Sequence, residues 1–103
     1  MTNPAQAQII GIPWYELEDY ANIYAVMEDR HLLPKVYSIW RMKAEQIERQ
    51  QRRQGKVVVR AHLRAGDFKA WCAARGLNVD AHARTQFAAW AAGEVHRTSN
   101  GTG

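Results

Sequence analysis

Apolar residues recur along the early chain at Leu17, Tyr20, Ala21, Tyr24 and Met27, with Ile23 and Val26 widening the stripe. That is the spacing of one helix face, and it predicts a helix over about 16–29. Glu16, Glu18 and Asp19 cluster at its start, where acids suit the helix dipole. "RHLL" breaks the pattern, and Pro34 is placed to open a second helix over about 34–54. Val36, Tyr37, Trp40, Ala44 and Ile47 form its apolar face. Glu45/Arg49 and Glu48/Arg52 are i, i+4 pairs in the favoured acid-first order. Gly55 suits the end of this helix, and the polar run "ERQQRRQ" is expected to project into water.

At residues 56–64 the period changes to two. Val57, Val59, Ala61 and Leu63 point one way; Val58, Arg60, His62 and Arg64 point the other. This predicts a strand with one basic face, the pattern of an antiparallel rather than a fully buried parallel sheet. "RAGDFKAWCAARG" then reads as a loop, an Asp67 cap, a helix with Phe68, Trp71 and Cys72 on one face, and a stop at Gly76. Leu77 is placed to fold back on that helix. "NVDAHARTQFAAWAAG" predicts a fourth helix, capped by Asn78 or Asp80 and ended by Gly93. Its expected buried stripe is Val79, Ala83, Phe87, Trp90 and Ala91.

The predicted fold is α+β and mainly helical: four helices and one main strand, in the order α-α-β-α-α. Residues 9–93 form the single domain; 1–8 and 94–103 are small and polar and are expected to be flexible. One strand among four helices leaves a sheet incomplete, because its backbone groups need partners. "QIIGI" at 8–12 is β-prone but broken by Gly11, with Pro13 just beyond, and reads as an edge strand or an extended lead-in. It offers an antiparallel neighbour within the chain. The alternative is Val57, Val58, Val59, Arg60, Ala61, His62 and Leu63 pairing with their copies across a two-fold axis, completing the sheet in a homodimer. The unbroken strand favours the dimer.

Charge changes this picture by segment. Residues 1–34 carry five acids against Arg30, net −4; residues 35–64 carry nine bases against Glu45 and Glu48, net +7. The partner of the basic middle is the chain's own acidic helix, a second copy, or something outside. One cysteine, Cys72, excludes an intrachain disulfide and fits a reducing compartment. The first ten residues lack the basic and apolar regions of a signal peptide, and no apolar run approaches membrane-span length. The expectation is a soluble cytoplasmic domain with no membrane partner.

"IPWYELEDY", "LLPKVYSIWRMKAE", "VVVRAHL" and "FKAWCAARGLNVDAHARTQFA" resemble a group of small uncharacterised bacterial proteins. The resemblance covers roughly residues 12–90. It implies a compact bacterial cytoplasmic domain and brings no established activity and no catalytic or ligand residues.

The candidate chemistry is sparse. Cys72 follows Trp71 on an apolar helix face and reads as a buried small hydrophobe. His31, His62, His82 and His96 contain no i, i+4 pair, so no metal site is expected. Neighbouring Arg60 and Arg64 are expected to hold the His62 pKa down. The acids from Glu16 to Asp29 read as a dipole cluster and a solvated helix end. No GxSxG, P-loop or GxGxxG is present, so no catalytic or cofactor residue is assigned and the chain leans away from an enzyme. Arg41, Lys43, Arg53, Lys56, Arg60 and Arg64 lack local acidic partners. Arg53, Lys56, Arg60, His62 and Arg64 therefore form a candidate basic interaction face that would bind nucleic acid without sequence preference, though no aromatic stacks there. The helix–Gly–helix unit at 67–92 has helix-turn-helix length and offers Arg84 and Gln86, but Arg75, His82 and Thr85 sit where that motif wants apolar residues. Most aromatics belong to the core; Trp14 and Tyr15 either staple the first helix or form an exposed patch. The function expected is a small non-catalytic protein-interaction or regulatory module that partners itself or another protein. Nucleic-acid binding is the alternative.

Overall fold

The computed structural model describes residues 8–101, with side chains through Val95. Its elements are β1 (Ile9–Trp14), α1 (Leu17–Val26), a one-turn 3-10 helix (Arg30–Leu32), α2 (Tyr37–Arg53), β2 (Val57–His62), α3 (Ala65–Ala74) and α4 (Ala81–Gly101). The chain is α+β and mainly helical.

The neighbour of β2 is β1, and the two run parallel, with Ile9 opposite Val57 and Trp14 opposite His62. This corrects the antiparallel expectation. Parallel neighbours need a long crossover, and residues 15–56 supply one containing α1 and α2. The basic face of β2 stays largely in water, with Arg60, His62 and Arg64 exposed, while α2 brings the buried Glu48 to meet Arg60. The Val57 N–H donates to the Gln8 carbonyl and the Leu63 N–H to the Trp14 carbonyl, both at 2.9 Å. By alternation, the β1 residues facing β2 are the even-numbered ones, so Pro13 faces outward. A missing N–H costs no ladder bond on that side, which is why β1 tolerates a proline.

Each face of this ribbon is covered. Ile12 and Trp14 lie toward α2, where Trp14 meets Trp40 edge-on at 5.3 Å. Trp14 and Tyr15 are 1% and 2% exposed, so the open reading of these two residues resolves to core. Tyr15, Tyr20, Tyr37 and Trp40 complete an aromatic cluster. The Tyr37 hydroxyl donates to the Tyr15 carbonyl at 2.9 Å, and the Tyr20 hydroxyl donates to the Pro34 carbonyl. Burial pushes the Tyr15 hydroxyl up to about 12. On the other face Ala61 and Leu63 are buried, and α4 crosses β1 at Gly11.

The two glycine stops are real. Gly55 and Gly76 have φ of 83° and 66°. Beyond α2, the Lys56 N–H reaches the Gln51 carbonyl and the Gly55 N–H the Arg52 carbonyl. Beyond α3, Leu77 and Gly76 make the same bonds to Cys72 and Ala73. Both ends are Schellman motifs, which need a left-handed residue at that position. Other boundaries move. α1 ends at Val26, α2 starts at Tyr37, and α3 starts at Ala65, so Asp67 sits inside its first turn rather than at its cap. α4 passes through Gly93 to Gly101, since one glycine weakens a helix by only about 1 kcal/mol. The flexible tail expected from residue 94 is thus helical as far as 101, and the flexibility expected of 1–7 lies outside the described residues.

The buried stripes also differ in part. Leu17, Val36, Ile47 and Trp90 were expected inside and are exposed. Buried instead are two charged residues, Glu48 and Arg84. Arg84 donates to both carboxylate oxygens of Asp29, at 2.8 and 3.1 Å, and to the Met27 sulfur at 3.2 Å. Asp29 also accepts from the Ala81 N–H at 3.0 Å, and Glu28 accepts from the Val79 N–H at 2.8 Å. The acids at 28–29 therefore satisfy the start of α4 and are no solvated helix end. The Arg84 bond, with the backbone donors, holds the Asp29 carboxyl below the usual carboxylate range against the opposing effect of burial.

A Cβ on Gly11 would run into the Ala88 carbonyl and crowd the Ala92 Cβ. Backbone cannot rotate away as a side-chain tip can. Gly11→Ala is expected to destabilise the fold by about 1–3 kcal/mol, read as a lower urea midpoint with an unchanged slope. An unchanged midpoint would contradict this packing of α4 on β1.

Candidate functional site

β2 is the element that the rest of the molecule leaves half finished. Val57 and Leu63 face β1, so alternation turns the N–H and C=O groups of Val58, Arg60 and His62 to the opposite edge. The sheet has two strands, and among the described residues no third strand lies along that edge. The outer edge of β1 is a poor template by comparison, because Pro13 offers no donor there.

The residues of the expected basic face all lie on or beside this edge, but most are partnered. Arg60 is the centre. Its Nε and Nη2 donate to the two Glu48 oxygens at 2.7 and 2.9 Å, a bidentate pair. Its guanidinium carbon stands 3.9 Å from the Trp14 ring centre. Glu48 is 3% exposed, and Arg52 approaches it from the following turn at 3.4 Å. Arg60 holds the Glu48 carboxyl below its usual range, and Glu48 raises the Arg60 pKa in return. Arg41 pairs with Glu45 at 3.3 Å, Arg64 approaches Asp19 at 4.0 Å, and Lys56 donates to the Gln51 side chain at 2.8 Å. His62 Nδ1 lies 3.7 Å from Glu16, so its surroundings are not purely cationic as expected. Arg53 is exposed at the end of α2.

The uncompensated stripe is therefore corrected for Arg41, Arg60 and Arg64. Glu48 and Asp19, remote in sequence, reach Arg60 and Arg64 in space, and Glu45 meets Arg41 from one helical turn away. The one local hint was Glu48 itself, which follows Trp40 and Ala44 at steps of four on the buried face. An acid in that position needs a cation within reach, and β2 carries one in Arg60.

The remaining candidates place as follows. Cys72 is wholly buried, and burial pushes its thiol up, away from the nucleophilic thiolate. Arg84, offered by the helix-turn-helix reading as a base-reading side chain, is 7% exposed and held by Asp29. His82 contacts Gln86, and no group of three metal-ligating side chains occurs among the described residues. No described helix is long and apolar enough to cross a membrane. The geometry offers a hydrogen-bonding edge whose central cation, Arg60, is paired with an acid, while Arg53 and Lys56 form no ion pair among the described residues.

Glu48 stabilises the fold only while ionised. Its folded pKa lies below the unfolded value of about 4.3. Its contribution is thus complete above that unfolded value and fades as pH falls through the folded one. Glu48→Gln is expected to cost about 2–3 kcal/mol at neutral pH, with the gap to the parent closing in acid. Urea titrations at neutral pH and through the carboxylate range check this; a gap that persists undiminished in strong acid would contradict it. No known protein-family model, curated protein or solved structure matches this chain.

Proposed function

We propose that this protein is a small non-catalytic interaction module that homodimerises by antiparallel pairing of the β2 outer edge with the same edge of a second copy. The observation that carries this reading is the open row of Val58, Arg60 and His62 backbone groups beside a β1 edge spoiled by proline. A two-stranded ribbon gains from extension, and such pairing makes a four-stranded sheet. Val57, at 49% exposed, supplies apolar contact at one end of the strand.

Charge chooses the register. A two-fold axis at Arg60 would set two guanidinium groups directly opposite each other, which is unfavourable. An axis at Val59 sets Val59 against its copy and Val58 against the partner's Arg60. The outward backbone groups of those two residues then form a hydrogen-bonded pair. The Glu48 clamp lowers the repulsion that two basic strands would otherwise feel. The same clamp weakens the nucleic-acid reading, whose face keeps Arg53 as its exposed cation without an ion pair among the described residues and Arg64 as one only loosely met by Asp19.

The Val59 N–H faces β1, so proline there attacks the monomer's own ladder. Val58 is the informative position, because proline removes an outward donor and spares the inward ones. The expected result by light scattering is two chains for the parent and one for a folded Val58→Pro variant, with His62→Pro as a milder second block. A parent mass of one chain at all concentrations, or a folded dimeric Val58→Pro, would contradict the proposal. Nucleic acid that co-elutes and leaves at high salt would favour the alternative instead.

A further inference from the structure

We infer that the outward face of α2 is a docking surface for an acidic amphipathic helix of a partner protein. The face is separate from the β2 edge, and the inference does not rest on dimerisation.

The apolar surface of α2 extends well beyond the stripe it buries. Trp40, Ala44 and Glu48 look inward at steps of four. Ile39 and Met42 look outward at 42% and 47% exposed, and Ile47 and Val36, at 49% and 57%, lie on the flank between them and Trp40. Four exposed aliphatic side chains within three helical turns exceed what a solvated face needs. A helix whose exposed apolar arc continues past the buried stripe is expected to have a partner on that arc.

The charges around this face are of one sign. Lys43, Arg49 and Arg53 are exposed and form no ion pair among the described residues. The only acids of α2, Glu45 and Glu48, are turned toward Arg41 and Arg60. Aliphatic residues bordered by unpaired cations select an apolar stripe bordered by acids. The same charges disfavour a second copy of α2, which would bring cations against cations.

Shape favours a protein over a lipid surface. At the side of the stripe, Ile47 and Lys43 enter a cleft of about 260 Å³ between α2, β1 and the 3-10 turn. Ile12, Leu33 and Trp40 form its walls, and Leu32, 68% exposed, stands at its rim. Such a cleft suits one large apolar side chain as an anchor, which a bilayer does not supply.

The probe is a fluorescent synthetic helix of about 18 residues, leucine on one face and glutamate on the other, read by anisotropy. A charge-reversed lysine version and phosphatidylglycerol vesicles serve as competitors. Saturable binding of the acidic helix is expected. It should weaken at least about tenfold with Lys43→Glu plus Arg49→Glu, or with Ile47→Asp alone. These positions are exposed, so the variants are expected to keep the parent's circular dichroism. Absence of binding up to about 1 mM, equal binding of the lysine helix, or indifference to the substitutions would overturn the inference. Stronger binding to the vesicles than to the peptide, or an Ile47-dependent doubling of mass without peptide, would reassign the face and overturn it too.

Discussion

The contact among Arg60, Glu48 and Trp14 allows α2 to bury an acid against a basic strand. β2 presents a part-exposed arginine on the side facing α2, and the Glu48 carboxylate would resist burial without it. Glu48 meets it through both oxygens, and Trp14 on the neighbouring strand offers its ring. One junction thus ties β1, β2 and α2 together and fixes which face of the sheet α2 covers. Trp14 packs on Trp40 from the same position, so the polar clamp and the aromatic cluster are continuous.

A second clamp does related work on α4. Arg84 is almost wholly buried, and Asp29 takes it while also accepting from the Ala81 N–H. The segment after α1 thereby satisfies the start of α4. α4 in turn lies close enough on β1 that only glycine fits at position 11. Each polar clamp brings a helix onto the sheet at a place where an apolar contact follows. Together they explain how a two-stranded parallel ribbon persists: it is covered on both faces, as parallel strands require.

The sequence made the helices legible, and their glycine stops at Gly55 and Gly76 in particular, because a Schellman end depends on local chain geometry. β2 was legible through its alternation. Its partner was not, because Gly11 and Pro13 obscure β1, and both have causes remote from the strand. Gly11 answers to α4, and Pro13 to an edge with no neighbour. The Arg60–Glu48 pair spans twelve residues and a change of element, so local charge counting left Arg60 unpaired. Ile39 and Met42 were not part of the predicted stripe at all, and their exposure became visible only once Trp40 and Glu48 fixed the inward side. The open edge of β2 follows from all of these, since it is what remains after β1, α2 and α4 have taken their places.

The most direct measurement is amide hydrogen exchange along β2, residue by residue, at low and high protein concentration. The account predicts slow exchange at Val57, Val59, Ala61 and Leu63 at every concentration, because these amides face β1. It predicts fast exchange at Val58, Arg60 and His62 in dilute solution, slowing as concentration rises and a second copy covers the edge. Protection of Val58, Arg60 and His62 that does not depend on concentration would mean the edge is already closed. Rapid exchange of the inward set would contradict the parallel pairing itself.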